Sequence, residues 1–324
     1  LLHESIATGM MGMMFAIYVV PPLSLAFVVW AALSRKLGTG ARRAALVATI
    51  LLATGGWTLL RTDGISGGGG ADFEWRWSPT AEERLLARAP EPGTARDAMP
   101  DADRGGAVWP GFRGANRDSA LKGVRIERDW SASPPAELWR RPVGPGWSSF
   151  SVQGGLLYTQ EQRGDDELVS AYVLETGAPV WQHRDAARFW EANAGAGPRA
   201  TPTLYEGRVY AFGATGILNA LDARDGSVVW SRNVAQDADV ETPGWGFSSS
   251  PLVVGDLVIV AAVGKLVAYA RETGEPRWFG PDGGHGYSSP QLATLGGVRQ
   301  VLLMSKAGAV SLAPADGVVL WEHP

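Results

Sequence analysis

Five tryptophans recur in this chain at nearly constant register: Trp139, Trp181, Trp230, Trp278 and Trp321 lie 42, 49, 48 and 43 residues apart. Each of the last four closes a matching phrase, LVSAYVLETGAPVW, LNALDARDGSVVW, LVAYARETGEPRW and VSLAPADGVVLW. Ahead of each phrase stands an apolar strand (GGLLYTQ, GRVYAFGA, GDLVIVAAV, RQVLLMS). Ahead of each strand stands a polar punctuation: Ser148-Ser149, Thr201-Pro202, Ser249-Ser250-Pro251 and Ser289-Pro290. A repeat of this length cannot bury its own sheet faces, so the units must stack on one another.

Alternation over Arg208–Phe212 and Leu218–Leu221 predicts half-buried strands. Gly177, Gly226, Gly274 and Gly317 each follow Thr or Asp, as a tight hairpin turn needs where φ becomes positive. The Trp that follows opens the outer strand, where its ring can fill the wedge between neighbouring sheets. Four strands in about 45 residues is the spacing of a β-propeller blade. The expected fold is therefore all-β, a propeller of four-stranded blades with four units in view. A β-sandwich would not hold a Trp in fixed register, and no Gly-His…Trp-Asp phrase recurs as in WD repeats.

The phrase from Ala220 to Trp230 resembles the tryptophan-docking repeat of quinoprotein-like propellers, Ala-x-Asp-x-x-Thr-Gly-x-x-x-Trp. WPGFRGANRDSALKGV (109–124) resembles the entry segment before the first blade in that superfamily. The resemblance spans 109–324 and points to the pyrroloquinoline quinone (PQQ)-binding-like propeller repeat proteins. Some bacterial members also look similar in DFEWRWSPTAEERLLA (72–87) and in the N-terminal part. It implies seven or eight blades. The chain, opening on Leu1 and closing on Pro324 where a further repeat would begin, reads as a fragment.

Residues 1–61 are of another kind. No charged side chain occurs from Ser5 to Ser34, and residues 9–33 have the length of a membrane-spanning helix, with a kink expected at Pro21-Pro22. A second apolar run, 44–60, is at the short end of the spanning range. Between them SRKLGTGARR carries four positive charges and no negative one. Cationic loops stay cytoplasmic, so the pair reads as a transmembrane hairpin in the inner membrane, with everything after Arg61 in the periplasm. A signal peptide has one shorter apolar region and fits two spans poorly. A buried core helix is the other bland reading.

Residues 62–108 read as a juxtamembrane linker: Gly67–Gly70 flexible, a short helix over about 79–88 capped by Ser78 or Thr80 and stopped at Pro90, then an extended or disordered stretch to 108. Trp75 and Trp77 suit either the membrane interface or packing on the domain.

Composition removes several functions. The chain has no cysteine, hence no disulfide, no thiolate chemistry and no lipidated-Cys anchor. The net charge of −4 conceals a basic N-terminal segment, leaving residues 62–324 at −8. That is a poor surface for phosphate, and nucleic acid is excluded as a partner. His3, His183, His285 and His323 form no pair at metal-ligand spacing, Gly67–Gly70 lacks the context of a phosphate loop, and Asp165-Asp166-Glu167 reads as a solvated hairpin tip.

The resemblance implies two functions. One is a scaffold or protein-binding module, like the propeller lipoprotein of the outer-membrane barrel assembly machine. The other is a membrane-bound PQQ-dependent alcohol or glucose dehydrogenase, with PQQ and calcium held by carboxylate and amide ligands. The scaffold is favoured, because the motif Asp survives as Asp222 but is Val173, Ala270 and Ala313 in the other units. No adjacent cysteine pair is available either. Catalytic and metal residues are therefore not assigned.

One constellation stands out. Gly plus a bulky group precedes each innermost strand: Gly146-Trp147, Gly197-Pro198-Arg199, Gly244-Trp245-Gly246-Phe247 and Gly284-His285-Gly286-Tyr287. In a propeller these positions converge on one face near the axis. Trp147, Arg199, Trp245, Phe247, His285 and Tyr287 form the candidate rim for a protein or peptide. Alternatively these aromatics only cap the core between blades.

Overall fold

Four antiparallel sheets, each of four strands taken in chain order from inner to outer edge, account for the repeats. In the computed structural model, which describes residues 1–65, 70–88 and 108–324, blade 1 runs through Ser151–Gln153, Leu156–Arg163, Asp166–Val173 and Pro179–Asp185. Blade 2 comprises Thr203–Tyr205, Arg208–Phe212, Ile217–Asp222 and Val228–Asn233. Blade 3 is Leu252–Val254, Leu257–Ala262, Lys265–Ala270 and Pro276–Phe279, and blade 4 is Gln291–Leu295, Val298–Ser305, Gly308–Leu312 and Val319–His323. The chain divides into two units: Leu1–Ala81 with Trp190–Gly195, and Glu82–Phe189 with Ala196–Pro324.

The two middle strands of blades 2 and 3 are buried on both faces, not half-buried as their alternation predicts. Alternation sorts residues between two cores instead of between core and solvent. In blade 2, Val209, Ala211 and Leu221 join Tyr158 and Val169 of blade 1. The intervening Tyr210, Phe212, Leu218 and Ala220 join Val258, Val260 and Tyr269 of blade 3. Ile259, Leu266 and Ala268 of blade 3 in turn pack with Val301, Leu303 and Leu312 of blade 4.

The recurring Trp does more than fill a wedge. Each ring lies on the turn glycine of the following blade: Trp139 on Gly177, Trp181 on Gly226, Trp230 on Gly274 and Trp278 on Gly317. A Cβ on any of those glycines would stand 2.4–2.7 Å from a ring carbon. The same glycines have φ of 67–73°, so shape and backbone both require glycine there. The indole N–H groups donate across the seam to the carbonyls of Leu174, Ala223, Arg271 and Pro314 at 2.8–3.0 Å. Trp321 keeps the register, but its N–H goes to Gln300 of its own blade at 2.7 Å and its ring is 38% exposed.

The drift of Asp222 is explained by the backbone. Val173, Asp222, Ala270 and Ala313 all accept from the turn glycine N–H and donate to the carbonyl five residues on, at 2.8–2.9 Å. The side chain at this position is not needed for the turn. Asp222 spends its carboxylate locally on Arg224.

In the other unit, helix Met14–Leu33 contains Pro21 and Pro22 and follows a turn with left-handed Met10 and Met11, so it begins later than residue 9. With its continuing turn to Lys36 it is the one helix among the described residues long and apolar enough to cross a membrane. The second helix is Thr39–Gly55, 17 residues, displaced from the expected 44–60. It takes Arg42 and Arg43 into its first turns, Arg42 stacking over Trp30 at 5.1 Å, and it runs on as a tighter 3-10 turn over Gly56–Leu59. A two-stranded ribbon, Leu60–Ile65 with Ala71–Trp75, follows where a linker is expected to begin. Trp75 and Trp77 stack on each other at 5.2 Å with both rings exposed. The short helix is Ala81–Leu86. The expectations for Gly67–Gly69 and for 89–107, including the stop at Pro90, lie outside the described residues.

Trp230→Ala should lower the stability of the propeller by about 3–5 kcal/mol, as for a large buried aromatic. Trp75→Ala, whose ring is 51% exposed outside the blades, should cost less than half as much. Urea titration of the two variants compares them directly, and equal effects would remove the docking explanation.

Candidate functional site

The segments before the first strands and the hairpins joining second to third strands lie at the same end of the blades. Gln162 N–H donates to Pro145 O, Phe247 N–H to Ala214 O at 2.9 Å, and Lys306 N–H to His285 O at 2.6 Å. Adjacent segments are tied in the same way, with Trp147 N–H on Pro198 O at 2.8 Å and Ser248 Oγ on Tyr287 O at 2.9 Å.

The polar punctuation is the glue beneath. Ser149 N–H donates to Thr201 Oγ1, Thr201 N–H to Ser250 Oγ, and Ser250 N–H to Ser289 Oγ, at 2.9–3.3 Å. One hydroxyl per blade thus satisfies a backbone donor of the blade before it. Sequence reading marks these residues as boundaries. Their recurrence at the repeat period is the only signal of the ladder.

This frame separates the six candidate rim residues. Trp245 and Tyr287 come together, ring centroids 5.2 Å apart and planes at 30°, both open to solvent. Trp147 is exposed by 60% and His285 is also exposed. Phe247 is not part of a rim: only 2% exposed, it packs against Phe212 at 5.3 Å in the core between blades 2 and 3. The left-handed Gly246 lies between the two aromatics. Arg199 is half-buried over the ring of Phe189 at 5.1 Å, and its guanidinium donates to Ala196 O and Gly197 O. Phe150 adds an exposed ring, where Pro202, Pro251 and Pro290 occupy the matching place in the other blades.

Beneath the rim runs a strap that sequence reading identifies only as an entry segment. Trp109 exchanges both backbone hydrogen bonds with Val152 of blade 1, and Pro110 O accepts from Leu204 N–H of blade 2. Arg117, 8% exposed, donates to Ser250 O and Pro251 O of blade 3 and to Pro290 O of blade 4. Gln291 of blade 4 donates to Asn116 O. The strap therefore crosses the inner strands of all four blades. Burial pulls the Arg117 pKa down to about 10, which still leaves it cationic at neutral pH.

Two buried carboxyls on blade 1 behave oppositely. Burial opposes ionisation of Glu161, but Arg163, Gly144 N–H, Ser170 and Tyr172 outweigh it and hold its pKa below the usual range. Glu167 has less help. Burial pushes it up to about 7, with Asp185 adding to the rise and Ala214 N–H, at 2.9 Å, and Arg199 opposing it. Glu167 is 3% exposed, so the solvated hairpin tip is confined to Asp165 and Asp166. Above the apolar part of the seam between blades 1 and 2, Asp185 accepts from Asn219 Nδ2 at 2.6 Å and contacts His183 Nε2 at 3.2 Å.

Among the described residues no group of three or more His, Asp or Glu is placed to share a metal ion.

Glu167 fixes a pH dependence. Its folded pKa lies above the unfolded value, so its contribution is full below about pH 4.5 and is lost as pH rises through about 7. Glu167→Gln should flatten this loss, about 3 kcal/mol in all by the size of the shift. Chemical denaturation of both proteins at pH 5 and pH 8 measures it, and parallel curves would mean Glu167 is ionised in the native state.

The curated BamB of Shewanella oneidensis is 28% identical over 196 residues, 57% of this chain and 45% of that protein. BamB of Escherichia coli is 35% identical over 78 residues, 24% of this chain and 20% of its own. The chain thus spans less than half the length of these relatives. Among solved structures, the quinohemoprotein alcohol dehydrogenase of Comamonas testosteroni matches with TM-score 0.50 and 17% identity over 75% of this chain and 44% of its own. BamB of Moraxella catarrhalis matches with TM-score 0.36 and 20% identity, over 56% and 63%. The family model for outer membrane protein assembly factor BamB matches residues 130–282 and 241–324, which together take in more than half of the sequence and all four blades, and the chain belongs to that family.

Proposed function

We propose that this chain is a protein-binding propeller tethered to the inner membrane, which offers the face bearing Trp147, Trp245 and Tyr287 to an extended peptide or a periplasmic protein. The observation that carries the reading is the solvent-exposed Trp245–Tyr287 pair, held on a hydroxyl-laddered frame. Exposed aromatics on a rigid backbone are the residue types that dominate interface energies, and they bind at small entropic cost. The curated relatives are assembly factors by name, which agrees with a binding role and leaves the partner open.

The anchor is part of the proposal. Helix Met14–Leu33 exposes Ile17, Val20, Leu25, Val28 and Leu33, an apolar surface suited to lipid. The apolar part of the second helix, residues 44–55, continued by the turn Gly56–Leu59, would return the chain across the membrane. Arg35, Lys36, Arg42 and Arg43 support a cytoplasmic turn between the two helices.

Two experiments test this reading. The chain has no cysteine of its own, so Thr39→Cys should resist an impermeant thiol reagent in intact cells while Gly70→Cys should react. The reverse labelling would overturn the orientation. In full-length protein, Trp245→Ala with Tyr287→Ala should weaken partner binding at least tenfold, with an unchanged melting temperature. Stoichiometric, calcium-dependent uptake of PQQ would instead favour a PQQ-dependent dehydrogenase.

A further inference from the structure

Helix Ala81–Leu86 lies in the stretch that resembles other bacterial members, yet neither the blades nor the rim gives it a role. It has six residues, none of them buried, and a helix that short is not stable by itself. Its Glu82 is gripped by the blade. Arg188 Nη1 and Nη2 each donate to Glu82 at 2.9 Å, and Gly164 N–H donates to Glu82 Oε1 at 2.8 Å. Gly164, with φ of 59°, is the tip of the blade 1 hairpin at the rim end of the propeller.

The gripping side is built without the helix. Gln162 is fully buried and donates to Gly164 O at 3.0 Å and to Ala187 O at 2.9 Å. Phe189 N–H donates back to Gln162 Oε1, so the hairpin and the segment bearing Arg188 are stapled together. Arg188 Nη1 also donates to Gly164 O, which fixes the guanidinium over the hairpin tip. Three N–H donors therefore converge on one carboxylate from a frame belonging to the blade. A planar fork joined by a backbone amide is the geometry that selects carboxylate.

We propose that Arg188 and Gly164 form a carboxylate receptor for an acidic segment of the protein partner, with Glu82 as its resident and displaceable occupant. The resident shows the chemistry that fits: a glutamate followed within one turn by Leu85 and Leu86, with Leu86 Cδ1 over Gly164. Exchange is open from the Arg188 side, whose side chain is 36% exposed, while the Glu82 side chain is 13% exposed, so an incoming carboxylate must replace three hydrogen bonds in kind. A partner that also engages the aromatic rim gains the affinity that exchange requires, since two linked contacts act together. The inference thus rests on the protein-binding reading, although the receptor is testable without any partner.

The test uses the chain's own segment in trans. In full-length protein, residues 81–86 are replaced by a Gly/Ser stretch of equal length, and the probe is the synthetic peptide SPTAEERLLA. Calorimetry should show saturable binding, weakened at least tenfold when the peptide carries Glu82→Gln and abolished by Arg188→Ala in the protein. The intact chain should bind the peptide at least tenfold more weakly than the replaced chain, because its own copy competes. Glu82→Gln, which keeps the helix sequence, should restore peptide binding to the intact chain. An unchanged melting temperature shows that each variant folds. No binding to a folded replaced chain, or equal binding of the Glu and Gln peptides, would overturn the receptor. Should Arg188→Ala leave partner binding intact while the Trp245 and Tyr287 substitutions abolish it, the receptor fails and the rim stands.

Discussion

The contact on which this propeller depends is an indole lying on a glycine of the next blade. It recurs four times with the same chemistry: a ring on the turn Gly, an N–H to a carbonyl one turn earlier, and the rest of the ring in the apolar seam. Each sheet has two apolar faces and cannot exist alone in water. The Trp sets which face meets which and at what height. The seams built on it are continuous cores of side chains such as Tyr210, Leu218 and Tyr269, with no exposed sheet face between blades 2 and 3.

Much of this was legible because the Trp, the turn Gly and the strand phrases are local and periodic. The number of visible blades, the turns and the all-β class all follow from residues within one repeat. What was not legible is mostly non-local. Strand burial was misjudged at Arg208–Phe212 because alternation is the same whether the far face meets water or another blade. Phe247 and Trp245 differ by two residues and look equivalent on paper. The left-handed Gly246 between them and the packing of Phe247 on Phe212 decide that one is core and the other is surface. The serine and threonine punctuation read as boundary signals, since a hydroxyl's partner 39–52 residues away leaves no trace in its own neighbourhood.

The same non-locality governs the charged groups. Glu161 and Glu167 sit six residues apart on neighbouring strands of one blade, both almost fully buried. An arginine and two hydroxyls gather around the first, and the second meets one backbone amide and an aspartate. Their opposite states arise from these partners and not from residue type. The segments bearing Trp245 and Tyr287 are likewise joined by partners distant in sequence, Ser248 Oγ donating to Tyr287 O and Ser250 N–H to Ser289 Oγ.

The strap has a consequence for how the molecule is made. Trp109 and Arg117 leave the ribosome before any blade, yet the carbonyls that receive Arg117 lie 133 to 173 residues further on. The guanidinium must remain hydrated while blades 1 to 3 are synthesised, and it loses its water only when the strand after Pro290 arrives. Contacts that distant close late and slowly. Seating of the strap therefore lags its own synthesis, and Arg117 gives up its water only after the inner strand of blade 4 has been delivered.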